Sequence, residues 1–284
     1  MTFPASMVDL HTHSRASDGS DTPSELVAHA VETGLHGIAL TDHDTVSGIP
    51  EFLDAAAERT IRAVPGLEIS STLFNREIHI LGLFIDHTSE KLADFLKEAR
   101  KNRNARNALI LQKLNAMHYE ITERELLECA GGESVGRPHF AKILVEKGYF
   151  QTPQEVFERC LKRYVPRVLP TPGESIGAIH EAGGLAVWAH PVYRASGERA
   201  FVRKYLKRLI GHGLDGIEAY YSLYSPAQHT MLLEASAEHG ILISGGSDYH
   251  GKNQRSIQLG TGGGSLAVPD EVLDRLEEAW RARR

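Results

Sequence analysis

Only two cysteines occur in the chain, Cys129 and Cys160, too few and too far apart for a disulfide framework. They suit a reducing compartment. Neither stands near a histidine or second cysteine at the spacing of a thiolate metal site. Nowhere does the sequence approach the roughly 18 uncharged apolar residues that a membrane span needs. Residues Met1 to Asp9 lack a basic stretch leading into an apolar one, so no export signal is expected. These absences predict a cytoplasmic protein with no membrane partner. Internal repeats and low-complexity segments are missing too.

What is present is ordinary in bulk and uneven in detail. Apolar residues make up 42% of the chain and charged residues 24%, as in a soluble globular protein. A chain of 284 residues can bury one large core, or one core with an inserted subdomain. The net charge is −6, but Arg100 to Arg167 holds 13 Lys and Arg against 8 Glu and no Asp. A basic segment within an acidic protein points to an anionic substrate, or to a solvated helical surface.

Short apolar runs alternate with helical patterns, which predicts βα units around a mostly parallel sheet. Strands are expected at Met7 to His11, Gly37 to Thr41, Arg62 to Ser70, Glu77 to Ile85, Leu185 to Ala189, Gly216 to Ala219 and Ile241 to Ser244. Thr22-Pro23-Ser24-Glu25 reads as an N-cap, a proline at N1 and a capping-box glutamate, with Gly34 as the C-cap glycine. Further helices are expected across Glu51 to Arg59, from Glu174, and around Lys204 and Leu232. From Arg100 to Arg167 the rhythm breaks into helical periodicity, including Phe140, Leu144 and Val145, with no convincing strand. The expected organisation is therefore a barrel in two parts, 1–99 and 168–284, with a helical insertion at 100–167 serving as a substrate cap.

The polar residues carry the functional signal through their positions. His11 and His13 end the first strand, and His43 follows the second. Glu68 lies late in the third, His190 closes the fifth, and Asp248 and His250 close the last. A β/α barrel places its chemistry at the C-terminal ends of its strands. His79 is the exception, in mid-strand between Ile78 and Ile80. Side chains at i and i+2 share a strand face, so His11 with His13 could hold one cation, and Asp248 with His250 repeats the spacing. A lone strand-end histidine is ordinarily a hydrogen-bonded structural residue. That reading is kept for His29, His36, His87, His118, His180, His212, His229 and His239. Seven such residues at strand ends favour a metal cluster instead, and an imidazole-rich set suits Mn, Fe or Zn better than Mg or Ca.

Asp9-Leu-His-Thr-His-Ser, Thr41-Asp-His-Asp, Gly66-Leu-Glu, Glu77-Ile-His, Ala189-His-Pro and Gly246-Ser-Asp-Tyr-His together resemble the PHP (polymerase and histidinol phosphatase) superfamily. The resemblance runs in order through nearly the whole chain. It looks closest to the small phosphoesterases that act on nucleotides and RNA ends, and Gly136-Arg-Pro-His-Phe-Ala resembles the motif of their helical insertion. The resemblance implies an α/β fold, a distorted seven-stranded TIM-like barrel, and three divalent metals, with manganese expected first and zinc or iron as alternatives. It places His11, His13, Glu68 and Asp248 around the first metal, and Glu68, His79 and His190 around the second. Asp18, His43 and His250 would hold the third. After Ala189-His-Pro these relatives often read Gly-Arg-Tyr, where this chain has Val192-Tyr193-Arg194.

The expected activity is hydrolysis of phosphate esters of nucleotides, such as nucleoside 3′,5′-bisphosphates, or of short RNA 5′ ends, by a hydroxide bridging the metals. Glu68, Asp248 and His43 are the expected catalytic residues. Arg137 and His139 are the candidates for gripping the phosphate, since Gly136-Arg137-Pro138 fits a helix start and helix N-termini favour anions. An ordinary capped helix is the plainer alternative there. Tyr220, Tyr221 and Tyr224 could stack on a base or simply pack as a lip, and Lys252 and Arg255 could add charge to the mouth. The competing activities are a histidinol-phosphatase-like phosphomonoesterase, an amidohydrolase-type metal hydrolase, and a non-catalytic nucleotide-binding domain. The amidohydrolases commonly bridge their metals with a carboxylated lysine, and no strand-end lysine occurs here. The sequence leaves oligomeric state open.

Overall fold

The computed structural model describes residues 7–130, 135–161, 168–192 and 198–284. Eight strands form one sheet in the order β7-β6-β5-β4-β3-β2-β1-β8. They are β1 (Met7–Asp9), β2 (Gly37–Leu40), β3 (Arg62–Leu73), β4 (Arg76–Leu83), β5 (Leu185–Ala189), β6 (Gly216–Tyr221), β7 (Leu242–Gly246) and β8 (Val268–Pro269). The seven expected strands are all present. The eighth, two residues long and antiparallel to β1, extends the edge.

The sheet curls until β7 meets β1. Leu10 N–H donates to Gly245 O at 3.0 Å, Asp248 N–H to His11 O at 2.8 Å, and His13 N–H to Tyr249 O at 2.9 Å. A glycine is required at this seam. A Cβ on Gly246 would lie 2.4 Å from the His11 nitrogen, closer than real side chains come.

One strand departs from the parallel expectation. β4 runs antiparallel to both β3 and β5, because Phe74 and Asn75, both at positive φ, turn the chain straight back in a hairpin. β3 therefore extends to Leu73, past the expected end at Ser70. The reversal also puts the first residues of β4, rather than its last, at the end of the barrel where the other strands finish.

Strand parity divides the apolar residues into two layers. Val8, Val64, Leu81, Leu83, Leu185 and Val187 fill the barrel interior. Ile38, Leu67, Ile69, Ile80, Trp188 and Ile217 face outward into the packing layer. The covering helices include α1 (Pro23–Glu32) and α2 (Ile49–Ala57). The expected capping box at α1 is formed, with Glu25 N–H donating to Thr22 Oγ1 and Thr22 N–H to Glu25 Oε2. Gly34 follows at φ +77°, a left-handed position that a glycine fills without strain.

Between β4 and β5 lie α3 (Glu90–Ala116), α4 (Glu123–Ala130), α5 (Arg137–Glu146) and α6 (Pro153–Val156), the last continuing into a π-turn at Phe157–Leu161. α3 belongs to two cores. Its Leu92 and Leu96 pack on the barrel layer. Its Ile110 and Leu114 join Leu126, Phe140, Leu144 and Val156 in a separate apolar cluster. The helices α7 (Pro172–Glu181), α8 (Glu198–Ile210), α9 (Pro226–His239) and α10 (Asp270–Arg281) complete the outer layer. None of the described helices is long and apolar enough to cross a membrane. Tyr193 and Arg194, where the sequence departs from the family pattern, lie outside the described residues.

Candidate metal centre

The inward parity of the strands sets the site. The positions that hold Val64 and Leu81 lower in the barrel hold Glu68 and His79 at the mouth, so the polar cluster is the top layer of the interior. The antiparallel run of β4 explains His79. It pairs in register with Ser70 and with Ala189, next to His190, and so reaches the mouth from mid-strand.

All nine residues expected as metal ligands converge there. His11 Nε2 and His13 Nε2 lie 3.4 and 3.3 Å from Glu68 Oε2, and 3.4 and 3.2 Å from Asp248 Oδ1. The other carboxylate oxygen, Glu68 Oε1, is 2.8 Å from His79 Nδ1 and 2.9 Å from His190 Nε2. Asp18 Oδ1 is 3.3 Å from His250 Nε2, and Asp18 Oδ2 is 3.9 Å from His43 Nε2. His43 also faces Glu68, with Nδ1 3.0 Å from Oε2. His13 also touches the set of Asp18, His43 and His250, its ring stacked on His250 with centroids 4.2 Å apart.

The donor set fits divalent ions. His11 Nε2, both ring nitrogens of His13, His43 Nδ1 and Glu68 Oε2 are buried with no hydrogen-bond partner, an arrangement that costs free energy unless something else satisfies it. Four ligands about 2.1 Å from a common ion in a tetrahedron stand about 3.4 Å apart. The four spacings from His11 and His13 to Glu68 and Asp248 lie within 0.2 Å of that. Three groups of donors are close enough to share an ion: His11, His13, Glu68 and Asp248; His13, Asp18, His43 and His250; and His43, Glu68 and His79.

Electrostatics tell the same story. Burial opposes ionisation of Glu68, but the rings of His43, His79 and His11 hold its carboxyl well below the usual range. Burial likewise works against charge on His13, yet the adjacent carboxylates of Asp248 and Glu68 push it up to about 10. His43 is the opposite case, depressed to about 3 by burial. Protons and divalent ions compete for these same atoms, so metal binding here releases protons.

Neighbouring residues outside the expected set hold the ligands in place. Asp42 accepts from Ser14 N–H at 2.8 Å and Ser17 Oγ–H at 2.6 Å, fixing the turn that carries Asp18. Asp9 accepts from Ser247 N–H and Gly260 N–H, each at 2.8 Å. Glu218, fully buried on β6, lies 2.9 Å from His11 Nδ1. The sequence does carry a signal for it: it is the one charged residue in the run Gly216–Tyr221. Arg103 on α3 pairs with buried Asp44, one residue past His43. No local pattern marks that contact.

The substrate-side candidates divide. Arg137, at the start of α5, lies 3.3 Å from Glu77 Oε2 and lines a cavity of about 160 Å³ beside His43, His79 and Asp18. Arg103 and Arg106 line the same cavity. His139 lines it as well, but its Nδ1 accepts Gly136 N–H at 2.9 Å and thereby caps α5. Tyr221 donates to Asp248 Oδ2 at 2.8 Å. Tyr220 turns away to pack on His229, with ring centroids 4.4 Å apart, and Tyr224 packs against Tyr221. Lys252 and Arg255 are exposed and do not line the cavity.

Similarity to known proteins agrees with this geometry. The chain is 39% identical over 256 residues to the 5′-3′ exoribonuclease Rnm of Salmonella typhimurium, covering 87% of this chain and 86% of that protein. It is 32% identical over 286 residues to a 3′,5′-nucleoside bisphosphate phosphatase of Chromobacterium violaceum, covering 96% and 95%. A crystal structure described as a candidate metal-dependent phosphoesterase from Bifidobacterium adolescentis superimposes with a TM-score of 0.83 at 31% identity, covering 96% of each chain. A structure from Chromobacterium violaceum named an amidohydrolase, with bound sulfate, superimposes equally well, with the same score, identity and coverage. The PHP domain model matches residues 9–168, and with the nine converging donors and these relatives it identifies the chain as a member of the PHP domain family.

Proposed function

We propose that this protein is a metal-dependent hydrolase of phosphoric ester bonds, acting on nucleoside 3′,5′-bisphosphates or on the 5′ ends of short RNA. The observation that carries this reading is the meeting of two opposite fields at one mouth. Acidic and imidazole donors line its floor, and Arg103, Arg106 and Arg137 line the adjoining cavity. Carboxylates gather cations, and guanidinium forks match phosphate oxygens. A phosphate ester is the substrate class that needs both. The exoribonuclease and bisphosphate phosphatase relatives support the nucleotide part of the reading.

His11, His13, Glu68 and Asp248 would hold the first of three ions, and Glu68, His79 and His190 the second. Asp18, His43 and His250 would hold the third, with manganese expected first and zinc or iron as alternatives that a mixed imidazole and carboxylate set also accommodates. Bound divalent ions lower the pKa of water from 15.7 toward ~7 and offset phosphoryl charge. The protein's own part is placement. Glu68 presents one oxygen to each side of the cluster, and His43 and Asp248 flank it. Arg137 orients the phosphate from the cavity wall, while His139 anchors the helix that carries it. Residues 100–167 act as the cap over the substrate, contributing all three arginines. Unpaired Cys129 and Cys160 fit a cytoplasmic setting.

An amidohydrolase activity is the second reading, because one close structural neighbour carries that name. Two observations weigh against it. Glu68 already turns one carboxylate oxygen to each side of the cluster, the part a carboxylated lysine would play. The exoribonuclease and the bisphosphate phosphatase, each similar to this chain along most of its length, are named for cleavage of phosphate esters.

The test is a Mn²⁺-supplemented product assay on a nucleoside 3′,5′-bisphosphate and a short 5′-phosphorylated RNA. Free phosphate from the bisphosphate identifies a phosphatase. Mononucleotides from the RNA identify an exonuclease. Release of neither product sinks the nucleotide reading.

A further inference from the structure

We propose that β6, which contributes no metal ligand, sets the orientation of three of them through Glu218 and Tyr221. The inference rests on the metal-binding part of the function proposed above.

Parity raises the question. In a regular strand Glu218 and Tyr221, three residues apart, would face opposite sides. Both face the cluster. The reason is an irregularity in the pairing of β6 with β7: Glu218 pairs with Ser244, but Tyr220 pairs with Gly245, so Ala219 is extra. A bulge of this kind re-aims the side chains that follow it. Ala219 stays in the outer packing layer, and Tyr221 is turned inward.

Each inward side chain then fixes specific atoms. Glu218 Oε1 lies 2.9 Å from His11 Nδ1, and a carboxylate there accepts the Nδ1 proton. That leaves the lone pair on His11 Nε2, the atom that faces Glu68 and Asp248. Glu218 Oε2 accepts the backbone N–H of His190 at 2.6 Å. His190 needs this support because it sits at φ +29°, a sparsely populated conformation for a residue with a Cβ. Tyr221 Oη donates to Asp248 Oδ2 at 2.8 Å, which leaves Asp248 Oδ1 to face His11 and His13. Asp248 is likewise at positive φ, +58°. One buried carboxylate thus couples ligands of the first and second ions, and one phenol fixes the rotation of a third ligand.

Metal binding tests the inference without reference to turnover. Wild type, Glu218→Gln and Tyr221→Phe would be stripped with chelator and titrated with Mn²⁺, with bound metal read by mass spectrometry. Thermal midpoints of the metal-free forms would be measured alongside. Glu218→Gln keeps the volume but offers one acceptor where two are used. It should weaken the tightest sites about 10- to 100-fold. Tyr221→Phe should weaken them about tenfold, with the metal-free midpoint unchanged. Wild-type affinity in both variants overturns the proposal. So does a lowered metal-free midpoint with affinity retained, which would make β6 merely structural. If Glu218→Gln does not fold, Tyr221→Phe decides alone. A wild type that binds Mn²⁺ but hydrolyses neither nucleotide substrate would count against the proposed activity and leave this inference to the binding data.

Discussion

His79 Nδ1 lies 2.8 Å from Glu68 Oε1 across the β3–β4 hairpin, with His190 Nε2 at 2.9 Å from the same oxygen. The opposite oxygen faces His11, His13 and His43. One carboxylate therefore stands at the centre of five imidazoles, and the first prediction concerns it. Glu68→Gln removes the charge at nearly constant volume. It should lower kcat by at least about a hundredfold and release metal, judged against the loss typical of mere supporting residues. Phosphate-release kinetics with parallel metal analysis provide the check. His43→Ala should also abolish turnover, with circular dichroism showing the fold retained.

Arg137 is expected to act on substrate rather than on the ions. Arg137→Ala should raise KM or cut kcat/KM by about tenfold or more, the value of one or two charge-assisted hydrogen bonds. Metal content should stay at the wild-type level. Loss of metal in this variant would assign the residue to the fold through its contact with Glu77.

At the far end of the barrel Asp215 makes the strongest case for pH-dependent stability. It is buried, accepts Ala186 N–H at 2.7 Å, lies 2.8 Å from His180 Nε2, and pairs with Arg283. Burial opposes its ionisation, but His180 and Arg283 hold its pKa below the ordinary 3.8. A depressed acid stabilises the fold fully above its unfolded pKa, and that contribution fades as pH falls through the folded value. Asp215→Asn should therefore cost about 2–3 kcal/mol at pH 7. The difference in urea midpoint from wild type should shrink below about pH 4. A gap that is constant with pH would contradict the assignment.

The cluster around Phe140 offers a test of the proposed cap as a separate unit. Phe140 is fully buried among residues of α3, α4 and α5. Phe140→Ala should cost about 3–5 kcal/mol within that cluster. Limited proteolysis should then cut first within 100–167, while the barrel keeps its metal. Uniform digestion across the chain would mean that the helices and barrel unfold as one.

Much of the site is legible in the chain itself, because barrel strands expose their ends and the ends here carry His, Asp and Glu. His11, Glu68, His190 and Asp248 stand out for that reason. His79 does not fit the rule, and the fold supplies the reason: a hairpin reverses β4, so its mid-strand residues reach the mouth. Glu218 is marked only as the one charged residue of its strand, and Asp42 carries no mark of this kind, because each serves a residue distant in sequence. Arg103 escapes local patterns for the same reason, its partner Asp44 lying 59 positions away.

The sequence alone determined which residues could bind metal, which segments alternate as strand and helix, and which segment is helical and basic. Those properties depend on side-chain chemistry and on periods of two and 3.6 residues, all local. Tertiary structure alone decided that His79 comes to rest beside His190, that a bulge in β6 turns both Glu218 and Tyr221 inward, and that three arginines line the cavity beside the donor cluster. These depend on pairing between distant strands and packing between separate cores, which no short stretch of chain encodes.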